Sequence, residues 1–184
     1  MARGFRTIRD GVTAFAMLAL IGLIAAKLND KPDTVHAGQF HAADGDSLTI
    51  GTERMRLKGI DAPELSQSCE RDGMNWACGR QAKDTLQGLV AARDTQCGGS
   101  ERDQYDRLLV VCQSGGLDIN GEMVVRGMAV SYGSYEREEG RARSQRAGLW
   151  SGTFERPRDV RLHERRQSGF DAARRFIGQV TGWE

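Results

Sequence analysis

The segment that most restricts the fold runs from Ser47 to Pro63 and reads as two short strands. Leu48 and Ile50 alternate with Ser47 and Thr49, the period-two signature of a strand with one buried face. Glu53-Arg54 reads as a turn. Met55, Leu57 and Gly59 then alternate with Arg56, Lys58 and Ile60, which puts Arg56 on the face opposite Met55 and Leu57. Pro63 has no N–H to give a ladder and ends the second strand. Asp46, Asp61, Glu64 and Arg56 all lie on or beside this pair, and a second polar cluster, Asp103-Gln104-Tyr105-Asp106-Arg107, follows further along. Carboxylates beside arginines suit one task well, holding a hard cation against a phosphate.

The rest of the chain reads around that pair. Gly38–Ala43 is a candidate first strand with Phe40 inward. Leu65–Cys78 is a long loop bracketed by two cysteines. Gly79–Arg93 reads as a helix, because Ala82, Leu86, Leu89 and Val90 recur at helical spacing. Thr95–Cys97 and Leu108–Gln113 read as partner strands with Gly98–Arg102 as their turn. Asp118 is placed to cap a helix ending near Arg126, with Gly127 as its stop. Tyr135–Ala147 is a charged helix before Gly148-Leu149-Trp150, and the chain beyond Pro157 reads as an arginine-rich helical tail detached from the core. Tyr132 and Tyr135 read as packing and surface residues.

The N-terminus carries an export pattern. Arg3, Arg6 and Arg9 precede an apolar run from Val12 to Ala26, a basic flank followed by an apolar core. The run is short for a spanning helix, which needs about 20 apolar residues, yet it can anchor if Lys27 snorkels. Residues 1–26 are therefore expected to be a signal peptide or signal anchor, cleaved after Ala26 or Ala37 if cleaved. The segment 27–37 is expected to be a linker. The charge bias of such a leader puts the remainder outside the cytoplasm, membrane-anchored and facing the periplasm or exterior, or released there.

Four cysteines fit that compartment, since an even count in an exported chain reads as two disulfides. The sequence has no Cys-x-x-Cys knuckle, which argues against zinc. Cys69 and Cys78 bracket one loop, and Cys97 and Cys112 lie on segments read as antiparallel partners, so these are the expected pairs. The formal net charge of +1 hides an asymmetry: residues 27–136 hold 12 basic and 17 acidic side chains, and residues 137–175 hold 11 basic and 6 acidic. A polyanion is drawn to such a tail, although a solvated helix with internal ion pairs accounts for it too.

In order and spacing, Asp44-Gly45-Asp46-Ser47, Arg56-Leu57-Lys58-Gly59-Ile60-Asp61-Ala62-Pro63-Glu64, Asp103-Gln104-Tyr105-Asp106-Arg107 and Gly148-Leu149-Trp150 resemble the staphylococcal nuclease, or thermonuclease, family. The likeness runs from about Gly38 to Phe154. It implies an α+β, mainly β fold: an OB-fold, a five-stranded Greek-key barrel with three helices, here at 38–154. An N-terminal hydrophobic helix would precede it and the arginine-rich tail 155–184 would follow.

Carried over by position, the resemblance implies that Asp46 and Asp61 ligate calcium with the backbone carbonyl of Ala62, where the family commonly has Thr. Asp44 supports them. Glu64 matches the proposed general base, Arg56 and Arg107 the phosphate-binding arginines, and Tyr105 an aromatic beside the nucleotide. Asp106 stands where the family usually has Gly. The implied activity is calcium-dependent hydrolysis of DNA and RNA to 3′-phosphate products by a monomer. The competing expectation is a non-catalytic envelope module that binds oligonucleotide or oligosaccharide, as relatives occur beside exopolysaccharide genes. A binder has no use for a water-activating carboxylate such as Glu64.

Overall fold

The computed structural model describes residues 2–28 and 33–181. It divides into two compact units, Met1–Asp33 and Thr34–Glu184. The first holds one helix, α1 (Ala2–Leu28). The apolar residues of the run 12–24 are exposed on it, Phe15 at 75%. Among the described residues no helix is long and apolar enough to cross a membrane. The expected linker 27–37 lies partly outside the described residues and is shorter than expected, because Thr34–Ala37 is a strand.

The second unit is mixed α+β. Its main sheet uses β1 (Thr34–Ala37), β2 (His41–Ala42), β3 (Ser47–Ile50), β4 (Glu53–Leu57), β8 (Gln96–Arg102), β9 (Leu108–Ser114) and β10 (Leu117–Asp118). The order is β1-β8-β9-β4-β3-β2, with β10 paired to β9. All pairs are antiparallel except β4 with β9. Two small ladders complete the set: β5 (Ile60–Asp61) with β11 (Val130–Ser131), and β6 (Cys69–Arg71) with β7 (Met74–Trp76). The expected five strands are thus divided more finely. A seven-stranded sheet carries the fold, and the loop expected over 65–78 contains the β6–β7 hairpin.

The helices are α2 (Cys78–Val90), α3 (Ile119–Val125), α4 (Glu136–Ser144) and α5 (Pro157–Thr181), with a 3-10 turn at Gly148–Ser151. Ala82, Leu86 and Val90 on α2 are buried, as the helical spacing requires. The Asp118 carboxylate accepts the Gly121 N–H at 3.1 Å and caps α3. Gly127 follows in the left-handed region at φ 65°. The core joins Phe40, Leu48, Met55, Leu57, Leu86 and Met123, so β3 and β4 turn their apolar face inward and leave Arg56 on the other.

The buried Asn120 ties α3 to this sheet. Its Oδ1 accepts the Cys112 N–H at 3.1 Å, and its Nδ2 donates to the carbonyls of Lys58 and Val110, both at 3.0 Å. The β4–β9 junction, which carries Arg56 and follows directly on Arg107, is thereby fixed.

One expectation around β8 needs correction. Gly98–Arg102 is strand with an irregular register between Gly98 and Glu101, and the turn falls at 103–107. Gly99 is used for close approach: a Cβ there would lie 2.0 Å from the Leu109 carbonyl oxygen. Both expected disulfides form, Cys69–Cys78 and Cys97–Cys112.

Candidate active site

The site lies where β3, β4 and β5 present their polar faces. The Asp44 carboxylate accepts the Asp46 N–H at 3.0 Å, an Asx turn that fixes the entry to β3. Asp46 is buried. Its Oδ1 accepts from Arg56 Nη1 at 2.8 Å and from Ser47 Oγ at 3.1 Å, and its Oδ2 accepts the Ala62 N–H at 3.0 Å. Burial pushes the Asp46 carboxyl up to about 7; Arg56 and the Ala62 N–H oppose this, while Asp44 and Asp61 add to it. Burial thus outweighs the charge that Arg56 brings to this carboxylate.

Arg56 reaches across with its second terminal nitrogen, Nη2, to Asp61 Oδ1 at 2.7 Å. Asp46 Oδ1 and Asp61 Oδ1 therefore face one positive group. Arg107 donates to Ser47 Oγ at 3.2 Å and is clamped by Asp103, whose Oδ2 accepts from Nε at 2.8 Å. Burial works to raise the Asp103 pKa, but hydrogen bonds from the Arg107 backbone and side chain and from Tyr105 N–H hold it below the usual value. The Arg107 guanidinium lies 5.5 Å from the Tyr105 ring centroid. Asp106 adopts the left-handed conformation at φ 62°, where Gly is the default and Asp is tolerated. Its exposed carboxylate lies 3.7 Å from Arg102, so the substitution for Gly turns its charge toward Arg102.

Glu64 is held by its own loop. Gln67 Oε1 accepts the Glu64 N–H at 3.2 Å, Gln67 N–H donates to the Glu64 carbonyl at 2.8 Å, and Gln67 Nε2 donates to the Glu155 carbonyl at 2.7 Å. The Cys69–Cys78 bridge closes this loop onto the start of α2. Gly79 sits so close that a Cβ there would fall 1.8 Å from the Glu64 carbonyl oxygen.

Asp44, Asp46, Arg56, Asp61, Ala62, Glu64, Tyr105 and Arg107 all line one cleft of about 700 Å³. The four cysteines lie outside its lining. Tyr132 lines the cleft with 60% exposure. Tyr135 packs on the core and donates to Asp118 at 3.0 Å. Sequence reasoning missed Ser47 as the link between the arginines, Gln67 as the support of Glu64, and the tail.

That tail is not detached. Arg161 on α5 donates through Nη2 to Asp61 Oδ1 and Oδ2 at 2.8 and 2.9 Å, and through Nη1 to Glu64 Oε1 at 2.7 Å. Arg165 donates to the Tyr105 hydroxyl. Burial works against the charged form of Arg161, but its hydrogen bonds and attraction to Glu64 and Asp61 overcome this and hold its pKa above the ordinary value. The Arg-rich tail supplied a charge signal, but nothing in its spacing pointed to a target.

A sequence model of the family described as "Staphylococcal nuclease homologue" matches residues 54–152. The chain belongs to this nuclease family. Within it, this family member is similar to the succinoglycan biosynthesis protein ExoI of Rhizobium meliloti, 35% identical over 81% of this chain and 84% of the relative. It is also similar to an uncharacterized endonuclease of Haemophilus influenzae, 34% identical over 59% of this chain and 62% of that protein. The micrococcal nuclease of Shigella flexneri is 35% identical over 59% of this chain and 69% of its own length.

Among the described residues no three His, Cys, Asp or Glu side chains gather closely enough to hold a metal ion by themselves. In this nuclease homologue the acidic oxygens instead face guanidinium groups. The donors present still suit a hard cation: Asp46 and Asp61 offer carboxylate oxygens toward one point of positive charge, and calcium favours all-oxygen, irregular coordination.

Proposed function

We propose that the protein is an exported, calcium-dependent nuclease that hydrolyses phosphodiester bonds of DNA and RNA and leaves 3′-phosphates. The observation that carries this reading is one continuous run of polar contacts, Arg107–Ser47–Asp46–Arg56–Asp61–Arg161–Glu64, around a single cleft. Asp46, Asp61 and the Ala62 carbonyl would hold calcium, which when bound supplies charge to a phosphoryl oxygen and orients water. Arg56 and Arg107 bind the phosphate through paired N–H donors and stabilise the charge that grows in the transition state. Asp103 keeps Arg107 aimed, and Gln67 keeps Glu64 in place. Glu64 takes the proton of the attacking water. The water oxygen bonds to phosphorus, the P–O5′ bond breaks with its electron pair leaving on the 5′-oxygen, and that oxygen takes a proton from solvent as Glu64 returns its own to solvent.

Export is supported by the basic-then-apolar leader and by two buried disulfides, which persist in oxidising compartments. The leader either stays as an anchor or is removed, and N-terminal sequencing of membrane and soluble fractions distinguishes the two.

The name of the Rhizobium relative favours a second reading, a non-catalytic envelope module that binds oligosaccharide or oligonucleotide. Incubating the purified protein with single-stranded DNA, with calcium or with chelator, separates them. Cleavage that appears with calcium and vanishes with chelator is expected, with little turnover in magnesium, which demands tighter octahedral geometry. Intact DNA under every condition would leave the binding module.

A further inference from the structure

We propose that α5 is an autoinhibitory lid, in which the Arg161 guanidinium occupies the carboxylate oxygens that the cation and the attacking water need. The inference rests on the calcium-nuclease reading of the cleft. Asp61 is 3% exposed in its side chain, and both its oxygens accept from Arg161. A carboxylate so engaged on both oxygens has one lone-pair direction fewer per oxygen for a metal, and the guanidinium carries a charge that repels one. Glu64 Oε1 accepts from the same arginine, so an N–H donor stands where a water would have to approach that oxygen.

The docking is built for release. One helical turn beyond Arg161, Arg165 reaches the Tyr105 hydroxyl from the same face of α5. At the helix root, the Glu155 carbonyl is tied to Gln67. Between these points Pro157 is buried and Val160 half-buried, while Leu162 on the same stretch is 42% exposed. Beyond that apolar root, Arg161 and Arg165 hold the helix on the cleft through ion pairs and hydrogen bonds. The Arg165–Tyr105 contact is exposed and opens locally at low free-energy cost, whereas the part-buried Arg161–Asp61 pair needs a competing charge to displace it. A cation between Asp46 and Asp61 competes with Arg161 for the Asp61 oxygens. Binding of one therefore weakens the other, reciprocally.

The test uses the full-length protein and calcium alone as the probe. Calorimetric titration of the parent and of Arg161→Gln should show calcium bound about tenfold more tightly by the variant, a usual size for such coupling. Hydrogen exchange of the parent should show residues 157–166 losing protection when calcium is added. Should Arg161→Gln fail to fold, Arg165→Ala, which removes the second anchor on Tyr105, should also tighten calcium binding. Equal or weaker binding by the variants, or unchanged protection of 157–166 in the calcium-bound parent, overturns the lid and leaves the metal site standing. Absence of calcium binding in parent and variants alike overturns the calcium reading and the lid with it.

Discussion

Replacing Asn120 with alanine should cost the fold about 2–4 kcal/mol, and the figure follows from what each partner loses. The side chain is fully buried and makes three hydrogen bonds. Of its two acceptors, the Val110 carbonyl also takes the Lys58 N–H at 2.8 Å and keeps a partner. The Lys58 carbonyl takes a part-buried bond on an exposed residue. The Cys112 N–H is different, because its bond to Asn120 Oδ1 is buried. An orphaned buried donor costs about 1–3 kcal/mol, and the space left by the amide adds about 1 kcal/mol. Against a total stability of about 5–15 kcal/mol for a domain, this is a large fraction. Urea unfolding should show a lowered midpoint with an unchanged slope. A loss below about 1 kcal/mol would refute the reasoning, since it would mean that the Cys112 N–H finds another partner at no cost.

Three further outcomes are expected. Glu64→Gln should lower turnover by about two orders of magnitude or more with modest loss of binding, and Arg107→Ala should also lower it strongly; single-turnover cleavage of DNA checks both, and parent-like rates would remove these residues from the mechanism. Asp103→Asn should flatten the acid limb of stability: the folded pKa of Asp103 lies below its ordinary 3.8, so its contribution is present above that pH and is lost as pH falls through the folded value, which urea midpoints measured from pH 5 downward would register. Replacing Cys97 and Cys112 together should cost about 3 kcal/mol for a loop of 15 residues, and an unchanged thermal midpoint would show that the bridge contributes nothing.

Much of the site was legible because it lies close in sequence. Asp46 lies just before β3, Arg56 on β4, Asp61 on β5 and Glu64 just beyond it, and period two along β4 alone put Arg56 on the polar face. The Asp118 cap and the spacing of Ala82, Leu86 and Val90 gave α3 and α2 for the same reason: local geometry decides them. What stayed hidden depends on distant backbone. Gly98-Gly99 carries a strong turn signal, yet the approach of Leu109 makes the glycine a requirement of the strand. Asn120 reads as an ordinary polar residue at a helix start, and only the carbonyls of Lys58 and Val110 reveal it as a clamp. Arg161 lies 100 residues from Asp61, on a helix whose polar sequence has no apolar stripe to announce a docking face. The expected linker failed in the same way, because Thr34–Ala37 becomes a strand only by pairing with β8.

The contact between Gly79 and the Glu64 carbonyl bears on which sequences this scaffold can explore. The first turn of α2 and the loop that carries Glu64 share a gap smaller than a methyl group. No rotamer relieves a clash made by Cβ itself, so conservative and radical replacements at 79 are equally excluded unless the loop moves. Arg80, next in the chain, is exposed and free of that constraint. A randomised library selected for cleavage would then return a single residue at 79 beside wide diversity at 80, and the boundary between the two would trace the edge of the Glu64 loop.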